Sequence, residues 1–129
     1  MAWYECIGGS GGGSSHNYST DEQIVGTWID GKTLYEKTKY LSNYAITANT
    51  SQNIPLSIGN IEKVVSCNGS MSNSTKTTWR ALPFYDVGAP TDSTFIWIDT
   101  SKDNLILRSN SNWTSSDILI TVRYTKSSL

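Results

Sequence analysis

The clearest hydrophobic pattern lies near the end of the chain, over residues 117–126. Ile118, Ile120, Val122 and Tyr124 alternate with Leu119, Thr121, Arg123 and Thr125. A period of two places one set against a core and the other toward solvent, so this segment is a strand with one wet face. Shorter runs of the same kind recur upstream. Residues 24–29 (IVGTWI) are rich in β-forming side chains and are followed by Asp30-Gly31. Asp-Gly between two such runs predicts a hairpin with a type I′ turn, in which both central residues need positive φ. Residues 32–40 form the returning strand, with charges and aromatics mixed as on a wet-faced or edge strand.

Further strands are expected at 44–47, 61–69, 77–83, 93–100 and 104–108. Pro55 demotes residues 54–58 to an edge strand or an extended link. Residues 49–53, Gly59-Asn60 and 101–103 read as turns, and 70–76, 84–92 and 109–116 as longer connections. The short gap at 101–103 predicts that its two flanking strands pair. No window sustains a helical period. The pattern therefore predicts an all-β domain of roughly eight short strands, an antiparallel β-sandwich of jelly-roll-like arrangement. A closed barrel is the alternative. Trp28, Trp79 and Trp97 fall in predicted strands and are expected in the core.

Composition agrees with this class. The 129 residues are 37% hydrophobic and 16% charged, so uncharged polar residues fill much of the chain. Ser, Thr and Asn compete with helical backbone hydrogen bonds and favour turns. The 11% aromatic content is enough to build a core, which argues against disorder. The formal charge of −1, with cations scattered among acids, offers no basic field for nucleic acid. No stretch approaches the ~18 apolar residues of a membrane span. Residues 1–6 lack the basic and apolar regions of a signal peptide.

The opening differs from the rest and divides the chain into residues 1–17 and 18–129. An aromatic tip, WYECI (3–7), precedes GGSGGGSS (8–15). The second piece is a flexible linker by composition, spanning on the order of 15 Å at ~5–6 Å × √n. The arm is either a loose tail or a tether whose Trp3, Tyr4 and Ile7 dock on a partner.

Candidate chemistry is sparse. The one histidine, His16, adjoins the linker, a poor place to hold a general base to the ~0.5 Å a catalytic site requires. It reads as an exposed polar residue, and no catalytic residue is assigned. No Cys-X-X-Cys, HExxH or calcium-loop pattern is present, so no metal or cofactor is expected. Asp86, Asp92, Asp99 and Asp103 suit turns. Cys6 and Cys67 leave pairing open, and Cys67 reads as a small buried hydrophobe. The five Asn-X-Ser/Thr sequons, at Asn17, Asn49, Asn68, Asn73 and Asn112, carry little weight in so Asn- and Ser-rich a chain. Trp113, alone in a polar stretch, fits three roles: stacking on a sugar ring, capping the open end of the sandwich or packing on a neighbouring subunit. Tyr85, in the 84–92 connection, is open in the same way, and the two are the candidates for a glycan or subunit contact.

Residues 18–37, YSTDEQIVGTWIDGKTLYEK, resemble a segment of virion proteins from phages and prophages of Gram-positive and gut bacteria, approximately Y-S-T-x-E-x-x-V-G-x-W-x-D-G-K-x-x-Y-x-K. IGNIEKVV (58–65) is similar to the family's I-S-N-L-D-x-V-I stretch, and VRYTK (122–126) to its usual close. The likeness covers about residues 18–126 in order. Family members often carry a larger N-terminal part, whereas here only residues 3–15 precede the motif. The resemblance implies a non-enzymatic structural component of a virion appendage (fibre, tail or capsid decoration). It implies a homo-oligomer, trimeric by preference, held to other virion proteins through the N-terminal arm. The motif is not a catalytic one and carries no catalytic residue across. A carbohydrate-binding module for host-surface glycans is the alternative, compatible with the first if the appendage tip is the adhesin. A depolymerase is the least favoured reading.

Overall fold

The computed structural model describes residues 16–88 and 92–127. Eight strands and no helix occur among them: β1 (Gln23–Thr27), β2 (Thr33–Ile46), β3 (Gln52–Pro55), β4 (Ile61–Ser72), β5 (Trp79–Leu82), β6 (Thr94–Asp99), β7 (Asn104–Ser109) and β8 (Trp113–Lys126). All pairings are antiparallel. One sheet has the order β1-β2-β8-β4-β5 and the other β3-β7-β6.

The β8 alternation organises the molecule. Ile118, Ile120, Val122 and Tyr124 are fully buried, and they lie in one cluster with Ile46, Met71 and Leu82 of their own sheet. Ile54, Leu105 and Leu107 of the other sheet and Leu56, just past β3, complete that cluster, with Ile96 and Ile98 packed against it. The two sheets thus share a single core. Its material is branched aliphatic, with Met71 and Tyr124 as the exceptions. Each fully buried aliphatic side chain contributes about 1.5–3 kcal/mol relative to exposure.

Several expectations are corrected. Trp79 and Trp97 are 48% and 43% exposed, and Trp28 is only half-buried, so the indoles do not form the core. The reason for Trp97 is parity: Ile96 and Ile98 turn toward the core, so their neighbour must turn away. The expected break after Asn43 is a bulge inside a continuous β2, with Asn43 at φ 51°. Residues 70–72, expected in a loop, extend β4 and bring Met71 into the core. The β1–β2 turn is not type I′, since Gly31 (φ 87°) is positive but Asp30 is not. Gly31 N–H donates to Trp28 O (2.9 Å) and Trp28 N–H to Lys32 O (2.8 Å), the pattern of a three-residue loop closed by a glycine bulge. The β6–β7 hairpin and the edge position of the proline-bearing β3 are as expected.

Candidate binding site

The central strands of the larger sheet bring nine alternate residues into three cross-strand ranks on the face away from the core. Strand pairing aligns Glu36, Arg123 and Ser66, then Thr38, Thr121 and Asn68, then Tyr40, Leu119 and Ser70. Seven of these line an open groove of about 580 Å³, together with Gly69 and with Tyr18 from the segment before β1. The exceptions are Glu36 and Tyr40. That volume lies in the usual range of ligand clefts, ~300–1,000 Å³. The middle rank forms the floor, where the Thr38 and Thr121 hydroxyls are hydrogen-bonded at 2.9 Å. Ser66, Asn68 and Ser70 have no side-chain hydrogen bond within the described protein, so their polar atoms are free to meet solvent or a ligand.

Glu36 closes one end. Its side chain is fully buried, yet three donors reach it: Arg123 Nε to Oε2 at 2.8 Å, His16 Nε2 to Oε1 at 2.8 Å and Gln23 Nε2 to Oε1 at 3.0 Å. Burial works to raise its pKa, but the bonds from Arg123, His16 and Gln23 together hold it below the ordinary glutamate value. A carboxylate with both oxygens engaged serves as a counter-ion and is a poor proton donor. His16 is therefore anchored, contrary to the expectation from its glycine-rich neighbour, although its side chain remains 36% exposed. The anchor comes from the segment it precedes. Thr38 N–H donates to Ser19 O at 2.9 Å, and Gln23 Nε2 donates to Asn17 O, which lays the segment along β2. Tyr18 follows, 64% exposed, its ring edge-on to His16 at 4.5 Å.

The other predicted residues fall elsewhere. Trp113 is not in a loop. It opens β8, pairs with Ile46 and donates from Nε1 to Ser109 Oγ at 3.2 Å. Its ring and that of Phe84 lie 4.8 and 4.0 Å from the Arg80 guanidinium, which also makes two bonds to Asp92 (3.0 and 3.3 Å). A smaller hollow of about 270 Å³ there includes Trp79 but not Tyr85. Trp113 thus spends its face on a cation–π contact within the chain. Tyr85 is 56% exposed and its ring lies 6.4 Å from Phe95, beside Trp97 on β6. Trp3, Tyr4, Cys6 and Ile7 lie outside the described residues. Cys67 carries a free thiol, which burial pushes up to about 11. Among the described residues no group of three or more His, Cys, Asp or Glu side chains is placed to hold a metal ion. Nor is any helix there long and apolar enough to cross a membrane.

A second network joins the three stretches that carry the virion resemblance. Glu22 accepts from Tyr124 Oη at 2.6 Å and from Lys126 Nζ at 2.8 Å. Tyr35 stacks on Tyr124 (5.8 Å, 16°), with Lys126 Nζ 4.9 Å from the Tyr35 ring. From the turn, Lys32 Nζ donates to Glu62 Oε1 (2.5 Å), while Asp30 Oδ2 accepts from Lys63 (3.1 Å). Residues 18–37, 58–65 and 122–126 are thereby locked side chain to side chain.

No protein-family model matches the chain, and no curated protein or solved structure shows significant similarity to it.

Proposed function

We propose that this chain is a non-enzymatic structural domain of a phage virion, part of a fibre, tail or capsid appendage, with attachment as its role. The observation that carries the reading is the convergence of the three resembling stretches. Glu22, Tyr35, Tyr124 and Lys126 form one cluster of contacts and Asp30, Lys32, Glu62 and Lys63 another, across gaps of up to 104 residues. A motif that recurs because it builds a joint should have its residues spent on each other, and these are.

The finer architecture belongs to the same proposal. Two sheets around one core are read as the layers of a jelly-roll-like sandwich, and residues 1–17 as an arm, its last two residues held along β2, whose Trp3, Tyr4 and Ile7 dock on other virion proteins. Repeated copies, a homotrimer by preference, would let a weak surface contact gain 10²–10⁴ in avidity.

Immunogold electron microscopy tests this directly, using antibody against the folded domain on particles released by the host that encodes the chain. Gold at a fixed appendage is the expected result. Unlabelled particles from cells that express the protein would overturn the proposal.

A further inference from the structure

We infer that the groove on the outer face of the larger sheet is a binding site for an uncharged saccharide. The inference rests on the attachment reading and adds the site and the ligand class.

The charge of the groove sets the class. Among the described residues lining it only Arg123 is charged, and Glu36 neutralises it through a bond to Nε. A phosphate, a sulfated polymer or a nucleic acid would meet no net positive field there. A cation would meet no free carboxylate, because both oxygens of Glu36 are engaged. The remaining functional groups are those that pair with hydroxyls: the Asn68 carboxamide, the Ser66 and Ser70 hydroxyls, and the terminal N–H groups of Arg123. They come from neighbouring strands about 4.8 Å apart, so donors and acceptors stand in a two-dimensional array. Tyr18 adds the aromatic face on which the C–H side of a pyranose ring packs, and Leu119 adds an apolar spot to the lining.

The site is also built before any ligand arrives. Tyr18 is held through Ser19 O on Thr38 N–H and through His16 on Glu36. Thr38 and Thr121 fix each other's rotamers. Pre-ordering reduces the entropy lost on binding. The predicted glycan contacts, Tyr85 and Trp113, do not line this groove.

The test applies the purified chain to an array of bacterial surface oligosaccharides and then titrates the strongest neutral glycan by calorimetry. Asn68→Ala and Tyr18→Ala should each weaken binding about tenfold, the scale of one hydrogen bond or one stacked ring. Trp97→Ala, on the other sheet, should change it less than about twofold. Circular dichroism checks that each variant is folded. No binding by any neutral glycan would overturn the inference, as would binding that Asn68→Ala and Tyr18→Ala leave unchanged or that Trp97→Ala abolishes. Chromatography of the titrated glycan separates the two readings. Cleaved product would overturn the non-enzymatic reading while leaving the groove as the place of binding.

Discussion

The outer faces of the two sheets follow opposite rules. On the larger sheet the outward positions of β2, β8 and β4 are mostly hydroxyls, amides and one neutralised ion pair around a groove. On the smaller sheet the outward positions of β6 are Phe95 and Trp97, 41% and 43% exposed, opposite Arg108 and Ile106 of β7. Ile106 is only 8% exposed although it is on the side away from Leu105 and Leu107, so its neighbours cover it. An apolar outer face on an edge strand invites pairing with other chains. One end of β6 is already occupied: Phe84 and Thr94 exchange two backbone bonds at 2.8 Å. The difference teaches that exposure along β6 is a matter of strand parity, whereas the larger sheet's outer surface is assembled from partners far apart in sequence.

The largest expected effects come from β4 and β8, which carry the larger sheet's two faces. A Cβ on Gly69 would sit 1.9 Å from Leu119 O and 2.9 Å from Ile120 Cα, both backbone atoms with no rotamer to relieve the contact. Gly69→Ala should destabilise by about 3 kcal/mol or more, or prevent folding, as read by denaturant titration. Next comes a contrast between neighbours on β8. Ile120→Ala empties a fully buried site and should cost about 2–5 kcal/mol. Thr121→Ala, one residue on, loses a single hydroxyl bond to Thr38 and should cost about 1 kcal/mol or less. Equal costs at the two positions would mean that the faces are not distinguished as described.

That contrast was legible in the chain, because the alternation over residues 117–126 assigns Ile120 inward and Thr121 outward without any knowledge of partners. So were the all-β class, the β6–β7 hairpin and the edge strand at Pro55. The groove was not. Its residues come from β2, β4 and β8, and each reads singly as an ordinary wet position. Only the register, with Arg123 opposite both Glu36 and Ser66, makes them one surface. Glu36 is the sharpest case. It looks like one charge among several in 32–40, yet it is buried because a partner 87 residues away and another 20 residues away converge on it. The indoles misled for a different reason. Size and apolarity argue for burial, but strand parity decided Trp97.

Glu36 ranks below the core in effect. Glu36→Gln keeps the shape but leaves Arg123 without its carboxylate, and it should cost roughly 2–3 kcal/mol. The ~3–5 of a fully buried pair does not apply, because Arg123 and His16 reach solvent. The same site sets a pH dependence. For both Glu36 and Glu22 burial raises the pKa, but their hydrogen-bonded partners together lower it by more, so each folded value lies below the unfolded one. A depressed carboxyl contributes stability above the unfolded value, near 4.5, that is lost as pH falls through the folded value. The Tm should therefore be flat from pH 7 to about 5 and fall below that. In Glu36→Gln the acid decline should be shallower. A decline of unchanged steepness would show that Glu36 does not contribute to it.

A stability effect as small as that of Thr121→Ala, and one that returns to the smaller sheet, concerns Trp97. Its half-exposed ring already forgoes much of its burial energy. Trp97→Ala should cost about 1 kcal/mol, mainly through uncovering Ile106 on the adjacent strand. Its larger consequence should appear between molecules. Removing the ring takes the centre out of the Phe95–Trp97 patch, so sedimentation at high protein concentration should show weaker self-association than in the parent chain. Thr121→Ala, with a comparable effect on stability, should leave self-association as it was. If the two variants sediment alike, the aromatic face is inert in solution and the difference between the two outer surfaces is one of composition alone.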